Sequence, residues 1–221
     1  MVPFPRVTGL VRLLTHDVRN GLNNIDLQAA LLQELVTDPQ VAPEIKRLRG
    51  MITDTAKMLQ AFSTSFYLSE PRFVTYSAIA FIEDFQTRLG KLLPQLVPLL
   101  HWTVDLHDEM IPVDIEMIFR GLAEFFKNAF HFREGERSIE VSVGREERTF
   151  VIKLLEPKSS VPSAPDAWGL EPLVSTRRGG FGMGLFYARQ VIGLHGGEVA
   201  FTFDRAREQL TTRLALPLAP G

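Results

Sequence analysis

The chain has 221 residues, with 24 Lys plus Arg against 26 Asp plus Glu, 45% hydrophobic residues and no cysteine. This length holds one large domain or two small ones, and the apolar fraction excludes a wholly disordered chain. A net charge of −2 with a pI near 6.2 gives no global pull towards nucleic acid or anionic lipid, and the lack of cysteine excludes a disulfide scaffold, a thiolate zinc site and a cysteine nucleophile. The N-terminus lacks a basic region followed by an apolar signal core. Its most apolar stretch, Leu92 to Leu100, is interrupted by Pro94, Gln95 and Pro98 and is too short to span a bilayer. A cytoplasmic protein without a membrane segment is expected.

From Val11 the apolar positions run Leu14, Val18, Leu22, Ile25, Ala29, Leu32 and Val36, a helical spacing that Asp38-Pro39 stops. A second run, Ile45, Leu48, Ile52, Thr55, Leu59, Phe62 and Phe66, keeps strict three-four spacing. Two helices joined this closely pack antiparallel. A continuous apolar seam on such a hairpin predicts pairing with a second copy in a four-helix bundle; the alternative is packing on its own C-terminal domain. Ser69-Glu70-Pro71-Arg72 reads as a linker, which divides the chain into 1–70 and 71–221. Beyond it the expectation is α+β: helix over Ile79–Leu93, strand over His101–Leu106, and a long helix over Asp114–Phe132. Strands follow over Ser138–Val143 and Thr149–Leu155. Lys158–Gly169 reads as a loop, Leu185–Leu194 as a helix, and Val199–Phe203 with Leu210–Leu216 as a closing strand pair.

Three segments carry chemistry. Arg177-Arg178-Gly179-Gly180-Phe181-Gly182-Met183-Gly184-Leu185 leads into a helix, so its backbone N–H groups and the helix dipole suit an anion. It has neither Rossmann spacing nor a Walker lysine, and a merely flexible turn remains the alternative. Glu124, Asn128 and His131 fall at i, i+4 and i+7 on one helix face, two oxygen donors and an imidazole that suit hydrated Mg²⁺ and its phosphates. A solvated helix face is the alternative there. In Thr15-His16-Asp17-Val18-Arg19-Asn20, His16 lies off the apolar seam, with an acid beside it and an amide one turn on. An imidazole attacks phosphorus through one ring nitrogen while a carboxylate at the other N–H fixes the tautomer.

In this order the three segments resemble the catalytic core of two-component sensor histidine kinases. His16-Asp17-Val18-Arg19-Asn20-Gly21-Leu22 is similar to the phosphoacceptor motif H-[DE]-x-[RK]-N-P-L, with Gly21 for proline. Ile111 to Phe132 is similar to the N-box and its lead-in, Glu171-Pro172-Leu173 through Gly184-Leu185 to the lid and second glycine box, and His195-Gly196-Gly197 to the HGG that follows. The resemblance runs from about Leu10 to Leu216. It implies a dimeric helical hairpin followed by a Bergerat (GHKL-like) α/β sandwich. It further implies His16 as phosphoacceptor, Asp17 as the assisting acid and Asn20 as the residue for phosphatase or back-transfer chemistry. Asn128 becomes the Mg²⁺–ATP ligand, Glu124 the polar residue a turn before it and His131 a phosphate contact, with Gly180, Gly182 and Gly184 along the triphosphate. The implied partners are a second copy of the chain and a response-regulator receiver domain, with the sensor on a separate chain.

One element departs from the pattern. Where the first glycine box, D-x-G-x-G, belongs, the chain has Glu156-Pro157-Lys158-Ser159-Ser160. By the resemblance, Glu156 carries the adenine-accepting carboxylate one methylene too far, and Lys158 and Ser160 replace glycines that give the nucleotide room. Misplacing a charged hydrogen bond costs about 1.5–3 kcal/mol, roughly tenfold to a hundredfold in affinity. Weak nucleotide affinity is therefore expected. Three functions stay open: an ATP-dependent histidine autokinase, a histidine phosphotransferase that works between receiver aspartates without ATP, and a pseudokinase scaffold that docks response regulators.

Overall fold

The computed structural model describes residues 4–36, 38–66, 68–135, 137–161, 164–176 and 182–220, without the side chains of 4–12, 61–62 and 64–66. It divides into two compact units, Met1–Leu68 and Ser69–Gly221.

The first unit is a hairpin of α1 (Phe4–Leu35) and α2 (Val41–Phe66). The turn is set by Asp38, whose carboxylate accepts the Gln40 N–H at 2.8 Å while its carbonyl accepts the N–H of Val41 at 3.1 Å. Apolar residues at three-four spacing put Ala29, Ile45 and Ile52 in the seam between the helices, each at most 8% exposed. Of the other predicted seam residues, Leu14, Val18, Ile25, Leu32 and Leu48 are exposed, Leu22, Val36, Thr55 and Leu59 are half-buried, and the side chains of Val11, Phe62 and Phe66 lie outside those described. Arg49 crosses between the helices to Asp26 at 2.9 Å. None of the described helices is long and apolar enough to cross a membrane.

The second unit opens with β1 (Val74–Ser77), α3 (Ala78–Leu92), β2 (Leu100–Asp105), β3 (Met110–Val113) and α4 (Ile115–His131). It continues with β4 (Ile139–Glu146), β5 (Thr149–Pro157), α5 (Gly184–Leu194), β6 (Glu198–Asp204) and β7 (Gln209–Pro217). Five strands form a mixed sheet in the order β2-β4-β5-β7-β6, parallel between β2 and β4 and antiparallel elsewhere. The period-two alternation of strands places one face inward. Val141, Leu154, Thr212 and Phe201 form one buried row across four strands, and Val143, Ile152 and Leu214 form the next. Against these rows the helices bring Phe81, Phe85, Phe119 and Phe126, with Phe81 and Phe119 stacked at 5.1 Å and Phe85 and Phe126 tilted at 5.2 Å. Caps start the helices at fixed points: Ser77 accepts from Ala80, and Asp114 accepts the Met117 N–H at 3.0 Å.

This is the α+β architecture expected from the sequence. Two short strands go unforeseen: β1 and β3, which pair antiparallel as a separate two-stranded sheet. Each has four residues, and Pro112 interrupts the second.

Candidate functional site

The chemistry on the first unit is concentrated on α1. His16 projects from the helix with its side chain 68% exposed, and Nδ1 lies 3.1 Å from Asp17 Oδ1. A carboxylate only accepts, so this contact calls for the proton on Nδ1 and leaves the lone pair on Nε2. Asn20, one turn on, brings its amide nitrogen within 3.3 Å of Nδ1 and 3.5 Å of Nε2. The predicted trio is therefore brought together. Arg19, between them in sequence, donates instead across the hairpin to Gln60 of α2 and anchors this turn of α1. An imidazole held as a single tautomer on an open face is a nucleophile for an incoming phosphorus centre.

On the second unit, α4 and α5 pack against each other. Gly121 permits the approach, because a Cβ there would lie 2.8 Å from Val191. Gly184 permits the next contact: its Cβ would come within 2.5 Å of a Glu124 carboxylate oxygen. Glu124 is half-buried and paired with Lys127 at 2.7 Å. Asn128 is half-buried and His131 exposed near the end of the same helix. Gly182 holds φ at 64°, and a Cβ there would strike the Val174 backbone, while its carbonyl accepts the Leu173 N–H at 3.2 Å. The segment that resembles the lid is thereby fastened beside the start of α5. Gly180 and its neighbours 177–181 lie outside the described residues, as does Pro162.

Two residues that periodicity does not single out hold these elements. His195 is 3% exposed; its Nδ1–H donates to Val191 O at 2.8 Å and its Nε2 accepts the Asp114 N–H at 3.1 Å. It ties the end of α5 to the start of α4. Gly197, two residues on, must lack a side chain, since a Cβ would collide with Ala215 O. Arg189 donates to the carbonyls of Asp166, Trp168 and Val199 and lies over the Phe201 ring at 5.2 Å, fixing the 165–168 turn to β6. Burial pushes its guanidinium below the usual arginine range.

At the end of β5 the geometry is of a different kind. Glu156 and Lys158 are 4% and 5% exposed, with Nζ 3.4 Å from Oε2. Lys158 Nζ also donates to the carbonyl of Phe132, the C-cap of α4. Burial pushes the Glu156 carboxyl up, and Lys158 pulls it back. The carboxylate that the resemblance assigns to adenine thus already has a partner inside the protein. The residues at this end do not fit a nucleotide base as they stand: where the resemblance expects a glycine, a lysine side chain is folded inward.

No family model matches the chain. Among curated proteins it is similar to the nitrogen regulation protein NtrY of Azorhizobium caulinodans, at 24% identity over 86% of this chain. It is also similar to the sensor histidine kinase CssS of Bacillus subtilis, at 25% identity over 53% of this chain. The chain spans about a quarter of the length of these relatives, 26% in each case. Among solved structures, full-length ShkA in complex with AMPPNP matches 96% of the chain, and the chain covers 46% of that structure, with a TM-score of 0.71 at 18% identity. The Acinetobacter baumannii histidine kinase AdeS matches 93% of the chain and is covered over 96% of its own, with a TM-score of 0.57 at 13% identity.

Proposed function

The chain has the architecture of a histidine-kinase catalytic core, a helical hairpin followed by a GHKL-type α/β domain, and from that premise we propose that it is a histidine phosphotransfer protein of two-component signalling. Phosphate enters and leaves at His16, and its donor and acceptor are aspartates of response-regulator receiver domains. The observation that carries this reading is the exposed His16–Asp17–Asn20 cluster, with Nδ1 lying 3.1 Å from Asp17 Oδ1.

The chemistry follows from the tautomer that this contact calls for. Nε2 attacks the phosphorus of an aspartyl phosphate on a docked receiver; the N–P bond forms as the P–O bond breaks, and the receiver carboxylate leaves with the electron pair. The ring becomes an imidazolium bearing phosphate, and Asp17 neutralises the positive charge at Nδ1 through its hydrogen bond. Transfer to a second receiver is the reverse step. Asn20 lies where its amide can hold a water against the phosphoramidate, which gives the cluster a route to hydrolysis. A second copy of the hairpin, covering the exposed Leu14, Val18, Ile25 and Leu32, completes a four-helix bundle.

One other reading has an observation behind it. Asn128, Gly182 and Gly184 stand at positions that the resemblance assigns to Mg²⁺–ATP, and one structural neighbour holds AMPPNP, which favours an autokinase. Receiver domains phosphorylated with radiolabelled acetyl phosphate, and separately labelled Mg–ATP, separate the two. The proposed function gives label on the chain from at least one receiver, lost in His16→Gln, and none from ATP. Labelling from ATP alone would establish the autokinase instead.

A further inference from the structure

We propose that Lys158 is the resident occupant of the site at the end of β5, an internal ammonium that stands where the related fold would admit a nucleotide base and that holds this end of the domain together without one.

The ammonium has what a buried cation requires. A charge taken out of water must be paired and hydrogen-bonded, and Nζ meets both the Glu156 carboxylate at 3.4 Å and the Phe132 carbonyl. That carbonyl ends α4, where unsatisfied C=O groups and the negative end of the helix dipole favour a cation. The flanking backbone is fastened in the same place. Lys158 N–H donates to Glu208 O at 2.7 Å, and Ser159 N–H donates to a Glu134 carboxylate oxygen at 2.9 Å. Three segments, 132–134, 156–159 and the turn at Glu208, are thus drawn together by the side chain of Lys158 and the backbone on either side of it. A base entering here must evict the ammonium, which leaves Glu156 buried without its counter-charge and the Phe132 carbonyl without its donor. The single change from the expected glycine to lysine both fills the volume and makes its refilling costly.

This inference is independent of transfer at His16, and the test keeps the two apart. The 221-residue chain is titrated calorimetrically with Mg–ADP and Mg–ATP to millimolar concentration and melted with and without them. We expect no binding heat and no rise in Tm for the wild type. Lys158→Ala is expected to melt several degrees lower, and n-butylammonium, which carries a primary ammonium on an alkyl chain, is expected to restore part of that loss where tetramethylammonium does not. The double variant Glu156→Gln/Lys158→Met, which removes both charges and keeps the volume, is expected to melt closer to wild type than Lys158→Ala does. Micromolar nucleotide binding by the wild type would overturn the proposal, whatever receiver-to-His16 transfer does. So would a Lys158→Ala protein that melts with the wild type. If Lys158→Ala does not fold, the wild-type titration and the double variant decide the matter.

Discussion

The backbone N–H of Asp114 donates to Nε2 of His195 at 3.1 Å, a bond that spans 81 residues of sequence. Its other ring nitrogen donates to Val191 O, so the ring is locked as the Nδ1–H tautomer between two helices. Phe73 packs on it edge-on at 5.3 Å. His195→Ala leaves a buried donor on Asp114 unsatisfied and opens a void. A loss of about 2–4 kcal/mol is expected from those two effects, read as a lower urea midpoint, with transfer at His16 retained below the transition.

Glu146 links three strands, accepting from Lys153 at 2.5 Å and from Arg213 at 2.6 Å. Lys153 first, then Arg213, hold its carboxyl below the ordinary value of 4.5. A depressed carboxyl contributes stability that is present above its unfolded pKa and lost as the pH falls through the folded one. Wild type is therefore expected to exceed Glu146→Gln in stability at neutral pH by a constant margin. The margin shrinks once the pH drops below 4.5 and disappears under the lowered value, as denaturant midpoints across the acid range would record.

Gly182→Ala places a Cβ on the Val174 backbone at a φ of 64°. Strain of that kind costs on the order of 1–3 kcal/mol, and here it falls on a peripheral segment. Faster proteolysis within Leu170–Thr176, with little change in the global Tm, is the expected result.

The hairpin offers a separate test. Ile25 and Leu32 are exposed by 50% each on the outward side of α1, the side that the proposed second copy covers. Ile25→Asp with Leu32→Asp is expected to convert a dimer into a monomer in sedimentation equilibrium, with helicity by circular dichroism largely kept.

Sequence periodicity makes the helices legible, because their apolar residues recur every three or four positions and Asp38 and Asp114 mark a turn and a helix start. The paired strands β4–β5 and β6–β7 are legible through alternation. β1 and β3 are too short for alternation to register, and Pro112 argues against a strand where one exists. The His16 cluster is legible because all three residues lie within one helical turn. Lys158 is visible only as a wrong residue at a glycine position; its acceptor on Phe132 is 26 residues upstream. His195 is matched as part of the HGG segment, but its bonds to Asp114 and Val191, like those of Arg189, are not legible: their partners are brought close by the fold and not by spacing.

The most direct measurement of the central claim is phosphorus NMR on the chain mixed with a phosphorylated receiver, followed by acid and base challenge. The account predicts a new phosphoramidate resonance that is labile in acid and stable in base, absent from His16→Gln. A phosphorylated product that is instead base-labile, or one that persists in His16→Gln, would contradict it.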